Sequence, residues 1–301
     1  MSYEKIKKFK TKHRDALLAF ALLAIPIGWW LLISGYPTGF GLVLGFLDWK
    51  GISATPHFTL ENFKIFFTNS FYYSSLFKTI LIGGLSFVAT TVIGLLFALV
   101  LNKIRFLRSV FQAIWYIPVV LSTVATTQIF NIFLDTYDGV INQMLVRAGK
   151  EIIVWELSVP WSIAWIVIYS VWKGLGGSVL LWLSALLSVD GSLKEAAKID
   201  GASPWKEFVY VTIPQMKPII LYILINGFIG AMQIYEQVLF ITNGGPYGQT
   251  EVLAFRIMRD FYWENNFGMA GASSMVMLLV TFGFTVAVFK NRKDKEAANE
   301  R

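Results

Sequence analysis

Ser192–Pro218 reads SLKEAAKIDGASPWKEFVYVTIPQMKP, a polar interruption between two long apolar segments. Ser192 with Glu195 three residues on has the spacing of a capping box, which predicts a short helix beginning there. Gly201 is placed to stop that helix, because glycine enters the left-handed conformation of a helix C-terminus without strain. Ser203 and Pro204 have the order of an N-cap and a first helical residue, and predict a second helix. Pro214 is read as its end and Pro218 as the opening of the next apolar run. Two helices of roughly eight residues each are too short to hold alone in water. They must lean on another surface. Ala196, Ala197 and Gly201 leave room for a close backbone approach, while Leu193, Trp205 and Phe208 offer anchors. A loop helix packed on its own membrane domain would need the same features, so spacing alone leaves a docking and a structural role open.

Composition sets the class. The 301 residues are 55% hydrophobic and 16% aromatic with only 15% charged, which is a membrane composition. The net charge of +7 is then read as orientation rather than as a nucleic-acid footprint. There is no cysteine, so disulfides and thiolate metal sites are excluded. His13 and His57 are the two histidines and stand alone; the sequence offers no metal site, no HExxH and no nucleophile elbow. It also lacks a GxxxxGK[ST] loop, so it has no ATP site of the usual kind.

Working outward, six apolar runs exceed the ~20 residues needed to cross a ~30 Å hydrocarbon core. They are about 16–35, 79–101, 110–134, 161–189, 218–240 and 269–289. Pro26 is expected to kink the first. Residues 59–71, through Phe63, Phe66 and Phe67, read as an amphipathic interfacial helix. No Gly/Ser linker or soluble domain interrupts the chain. It is therefore read as one all-α membrane domain over 1–301, with a tail at 1–15, a six-span core at 16–289 and a second tail at 290–301. Placing the N-terminus in the cytoplasm puts eighteen Lys and Arg on that side and seven outside, with Lys173 inside a span. The positive-inside rule then sets both termini, and the 192–218 loop, in the cytoplasm.

Glu195-Ala196-Ala197, Asp200-Gly201-Ala202 and Ile213-Pro214 together resemble the EAA loop of permease subunits in binding-protein-dependent ABC importers, especially the sugar branch. The resemblance continues upstream in Trp172-Lys173-Gly174 and Leu183-Ser184-Ala185-Leu186. Downstream it takes in Gln233-Ile234-Tyr235-Glu236, Thr242-Asn243-Gly244-Gly245-Pro246, Thr250-Glu251-Val252-Leu253, and Gly268 with Ala270-Gly271-Ala272. It covers roughly the C-terminal two thirds. Asn243 departs from the family's usual small residue, and Glu236 stands where Asp is frequent. The resemblance implies a type I ABC importer permease fold with six transmembrane helices. Glu195, Ala196, Ala197, Asp200 and Gly201 would belong to a cytoplasmic coupling helix seated in a cleft of a separate ATPase subunit. No cofactor would bind this chain, ATP and Mg being held on the ATPase dimer. The further partners implied are a second homologous permease subunit, an extracellular or periplasmic sugar-binding protein, and a sugar or oligosaccharide. The setting implied is the lipid of a prokaryotic cytoplasmic membrane, and no nucleic acid is involved.

For the path itself the residues speak directly. Lys173 and Glu236 are charges placed within spans, where a charge normally faces a bundle interior, a cavity or a partner; a structural tether, or snorkelling to the interface, would also accommodate them. Asn226, Gly230, Gln233 and Gln237 fall at i, i+4, i+7 and i+11 on one predicted helix face. Ser170, Gly174 and Gly177 repeat i, i+4 and i+7 in the preceding span, and Thr123, Thr127 and Asn131 fall at i, i+4 and i+8 in the one before it. With Trp172 and Tyr235 nearby, these groups suit a sugar path; helix–helix packing selects the same small and polar residues. An ion-gradient-driven secondary transporter is the alternative, although broken helices with acids at mid-depth would be expected of it. A membrane enzyme would need a clustered acid/base or metal set, which is absent.

Overall fold

In the computed structural model, residue 18 and residues 20–51, 54–104 and 106–299 are described, with side chains through residue 290. The N-terminal tail, the expected start of the first span at Ala16, Arg105 and the last two residues lie outside them. Backbone in lipid has no water to bond, so apolar runs satisfy their N–H and C=O groups as helices. In chain order these are α1 (Phe20–Leu44), α2 (Glu61–Thr68), α3 (Ser70–Lys103), α4 (Arg108–Val120), α5 (Thr123–Leu134) and α6 (Val140–Arg147). Then follow α7 (Val159–Leu187), α8 (Gly191–Ile199), α9 (Pro204–Met232), α10 (Leu253–Tyr262) and α11 (Phe267–Asn299). A two-residue antiparallel pair, β1 (Leu47–Asp48) with β2 (His57–Phe58), joins α1 to α2. Among the described residues, α1, α3, α7, α9 and α11 are long and apolar enough to span a membrane, and α4 with α5, bent by 94°, reaches that length and apolarity as a pair, either a broken span or a re-entrant loop.

Several expectations need correction. The third span is not one straight helix: Pro118 removes a ladder donor near the end of α4, and Leu121 adopts extended backbone before α5 begins. The fifth span starts fourteen residues earlier than Pro218 and is continuous with the second loop helix. A π turn over Phe208–Thr212 lies within α9 just before Pro214, which takes the second position of the regular α-helical stretch that follows. That same span stops at Met232 rather than running on to Phe240; the chain resumes as a π turn over Val238–Thr242. Pro26 does not interrupt α1, whose irregular segment is the π turn at Leu31–Gly35. Of the three α2 phenylalanines only Phe66 turns fully inward, against Tyr72, Leu253 and Met269, while Phe67 is exposed. The backbone of α11 continues past 289 to Asn299.

The centre of the bundle is the pair α3 and α7, flanked by α4 and α9. Hydrophobic drive between helices is weak in lipid, so close packing and interhelical hydrogen bonds must hold them. Ser178 of α7 donates to the Thr90 carbonyl of α3 at 3.1 Å. A Cβ at Gly176 would overlap the Trp115 carbonyl of α4, and one at Gly83 would overlap the Ala231 carbonyl of α9. One apolar cluster fills the end of the bundle beside α8, with Ala98, Trp182, Leu186, Met216 and Ile223. Another fills the opposite end, with Ile82, Ile166, Val238 and Phe255.

The glycine contacts give a paired test. Gly176→Leu should lower the thermal unfolding midpoint of the purified chain, through overpacking of about 1–3 kcal/mol or more. Gly177→Leu, where a Cβ meets nothing within 4 Å, should leave it near wild type.

Candidate functional site

Two regions carry the sequence-predicted residues. The first is the 190–212 loop. Its opening cap is Asp190, not Ser192: the Asp190 carboxylate accepts from the Ser192 backbone N–H at 2.9 Å. Hydrogen bonds from the Ser192 amide and side chain hold that carboxyl below the usual Asp range. A helix-starting Asp satisfies an orphan donor and adds charge at the positive end of the dipole, so the capping box expected of Ser192 and Glu195 is not needed. The Gln215 side chain accepts from the Asp190 N–H at 3.1 Å and ties the two ends of the loop together.

The stop is as predicted. Gly201 has φ +78°, its N–H reaches the Lys198 carbonyl at 3.1 Å, and the Ala202 N–H reaches the Ala197 carbonyl at 2.9 Å. That is the Schellman pairing of a helix C-terminus. Ser203 then accepts weakly from the Lys206 N–H at 3.4 Å and opens α9. Nothing in α8 is buried. Glu195, Ala196, Asp200 and Gly201 are exposed and Ala197 half-exposed. Around them Ile199 is 86% exposed, Trp205 73% and Leu193 49%. Three large apolar side chains thus stand uncovered on one polar loop.

The second region is a cavity of about 250 Å³ between α3, α7 and the end of α9, which gathers Ser170, Gly174, Gly230 and Gln237 against Ser86 and Thr90. The remaining predicted residues go elsewhere. Gln237 lies beyond the break after Met232, so it does not continue the face of Asn226, Gly230 and Gln233. Those three are exposed, and Asn226 donates to its own helix at the Tyr222 carbonyl, 3.0 Å away. Trp172 packs beside Phe130, 6.0 Å between ring centres, and Tyr235 packs on the cluster around Ile82 and Phe255. Lys173 donates to the Leu121 carbonyl, the group freed where α4 breaks from α5. No ion pair joins it to Glu236 among the described residues. Thr127 bonds back to the carbonyls of Thr123 and Val124, and Asn131 donates to the Phe240 carbonyl at 2.8 Å.

Sequence reasoning missed a buried ion cluster on α10. Arg256 meets Asp260 at 2.5 Å, Glu264 at 2.7 Å and Glu251 at 3.3 Å, with Tyr72 of α3 also accepting from it at 3.2 Å. Burial pushes the Asp260 carboxyl up to about 7 against the pull of Arg256. Burial also works against the guanidinium charge, but Asp260, Tyr72 and Glu264 together outweigh it and raise the group further. The i, i+4 spacing of Arg256 and Asp260 was the available signal.

Residues 90–293 match the family described as the binding-protein-dependent transport system inner membrane component. The chain belongs to this family. Similar permeases include the trehalose/maltose transport system permease of Thermococcus litoralis, 31% identical over 93% of this chain and 95% of that protein. The sulfoquinovosyl glycerol transport system permease of Agrobacterium fabrum is 29% identical over 94% of this chain and 92% of its own. Among solved structures, a bacterial ABC transporter involved in import of the acidic polysaccharide alginate superposes with a TM-score of 0.83 at 23% identity. It covers 96% of this chain and 99% of that one, and shows the shared fold.

In this permease the Lys173 contact predicts a measurable stability effect. A hydrogen bond to a charged group contributes about 1.5–3 kcal/mol, so Lys173→Met should lower the unfolding midpoint, with Lys173→Arg recovering part of the loss. Equal midpoints for Lys173→Met and wild type would remove the elbow-capping role.

Proposed function

We propose that this permease is one membrane-spanning subunit of an ATP-driven importer of a sugar or oligosaccharide, and that α8 is its docking point for a separate ATPase. The observation that carries this reading is the uncovered set Leu193, Ile199 and Trp205 around a helix ended by Gly201. Apolar side chains grouped on an aqueous loop indicate a partner surface. The loop's polar character and the distribution of basic residues favour the cytoplasmic side for it and for both termini. A second permease subunit is supported by α1, whose most apolar stretch has no residue buried and carries Trp29 and Trp30 outward. The exposed face of Asn226, Gly230 and Gln233 favours the same arrangement, because amide groups are costly against hydrocarbon and cheap against a partner or a wet path. A sugar substrate is supported by the trehalose/maltose relative. A binding protein on the outer face follows from the family and is supported by the alginate transporter solved with its periplasmic protein.

The mechanism is alternating access. Closure of the ATPase dimer draws its bound α8 helices together. Because α9 is continuous from Pro204 to Met232 and α7 ends three residues before α8, a displacement of the loop becomes tilt of the two helices that line the cavity around Ser170 and Gly230. This chain transmits movement; hydrolysis occurs on the partner.

The test uses the assembled transporter in proteoliposomes. Glu195→Ala and Ile199→Asp change exposed groups that cap nothing, so both should insert and fold as wild type. Co-purification of the ATPase should weaken by roughly tenfold or more, and ATP-dependent uptake should fall with it. Wild-type association in both variants, or uptake driven by an ion gradient without ATP, would overturn the reading.

A further inference from the structure

A second cavity, of about 230 Å³, lies between the end of α5, the Trp155–Leu157 turn, the start of α7 and the turn after the Val238–Thr242 segment. Its walls include Asn131, Asp135, Trp155, Glu156, Trp165 and Thr242. Ser162, also on its wall, is at the opposite end of α7 from the 190–212 loop, roughly 38 Å along the axis at 1.5 Å per residue. With α8 in the cytoplasm, this cavity opens at the outer mouth. None of its chemistry is used by the coupling role.

The geometry points to a subsite here for one ring of a neutral sugar, met at the outer mouth and selective against acidic sugars. The inference rests on the proposed transport function and deepens it to a substrate class. The cavity is below the ~300–1,000 Å³ of sites for drug-sized ligands, so it suits a single ring. Trp165 is only half-buried, leaving part of its indole for a ligand. It is held rigid by Trp155, 5.4 Å away and steeply inclined at 80°, and by Trp161, 6.3 Å away and nearly parallel. A fixed aromatic wall costs little entropy on binding.

The polar walls have capacity left. The Asp135 carboxylate uses one oxygen on the backbone amides of Tyr137 and Asp138, at 2.9 and 2.7 Å; those bonds hold it below the usual Asp range and keep it charged. The other oxygen has no partner among the described residues, and neither has Glu156. Asn131 has spent one N–H on Phe240, which leaves an acceptor oxygen and a second donor. The set is acceptor-rich beside an aromatic plane, with donors limited to the second Asn131 N–H and the unpartnered indole N–H groups of Trp155 and Trp165. Hydroxyls on a ring both donate and accept, so they use all of it. A lysine or arginine side chain has only donors and leaves the Asn131 N–H unmet. A uronate brings a third negative charge to two carboxylates that have no ion-pair partner among the described residues, and like charges so placed repel. This separates the chain from the alginate importer whose fold it shares.

The experiment takes the intact complex in nanodiscs and measures saturation-transfer NMR with maltose, an alginate trisaccharide and arginine amide, alongside ATP-dependent uptake. Wild type should show ring-proton transfer to maltose and almost none to the alginate trisaccharide. Trp165→Ala should abolish the maltose signal. Asp135→Asn with Glu156→Gln, conservative and exposed, should raise the alginate signal relative to maltose by roughly tenfold while retaining maltose. Unchanged spectra in all variants, with normal ATP-dependent uptake, would overturn the subsite alone. Absence of both sugar contact and ATP-dependent uptake in wild type would overturn it together with the transport reading. Arginine amide displacing maltose, and losing its own contact in the double amide variant, would replace the sugar with a basic side chain.

Discussion

Every helix break in this bundle frees backbone groups, and apolar surroundings make each unmet group costly. The structure meets this constraint by lending polar side chains from one helix to the broken end of another. Lys173 takes the Leu121 carbonyl at the α4–α5 elbow. Asn131 takes the Phe240 carbonyl at the π turn after α9. Thr79 of α3 accepts from the Leu253 N–H at 2.7 Å and so caps α10 from outside it. Asn62, buried in α2, holds the carbonyls of Gly45 and Leu47 where α1 ends, at 3.1 and 2.8 Å. Bends and re-entrant pieces therefore persist without water, and they create the hollows between α3, α7 and α9 and at the far end of α7.

That constraint explains where the polar residues singled out in the sequence make their hydrogen bonds. Lys173 and Asn131 read as path candidates because intramembrane polar groups are expensive, and each spends its polar group on a carbonyl of another segment. Their use was not legible, because periodicity shows which residues share a face but not that a carbonyl fifty residues away has lost its partner. The continuous face expected of Asn226 through Gln237 ends for a related reason: the i, i+11 spacing holds only while the helix continues, and α9 stops at Met232, although Gln237 still meets Gly230 at the cavity. Gly201 and Ser203 were legible because helix ends are local events set by one or two residues. The ordering of spans was legible because length and hydropathy decide it. The α10 ion cluster was not, since the local Arg256–Asp260 spacing says nothing of its burial or of the approach of Tyr72 from α3, which tertiary packing sets.

The functional account joins these features along two rods. α7 runs without a break from the cavity beside Ser162 to the edge of the loop, and α9 returns from the loop into the bundle. Between them lies α8, short, with no buried residue, and tied at its base by the Asp190–Gln215 hydrogen bond. Such a helix gains little from its own domain and has no covering partner among the described residues, so its burial must come from another chain in the proposed assembly. The proline-tolerant π turn at Phe208–Thr212 lets α9 carry movement inward without unravelling at Pro214.

The most direct measurement is site-specific photo-crosslinking from Ile199 in intact cells expressing the whole transporter. The account predicts one dominant crosslink, to the ATP-binding subunit, whose yield changes when ATP hydrolysis is arrested. A crosslink confined to lipid or to this chain, or capture of a protein on the outer face, would contradict it.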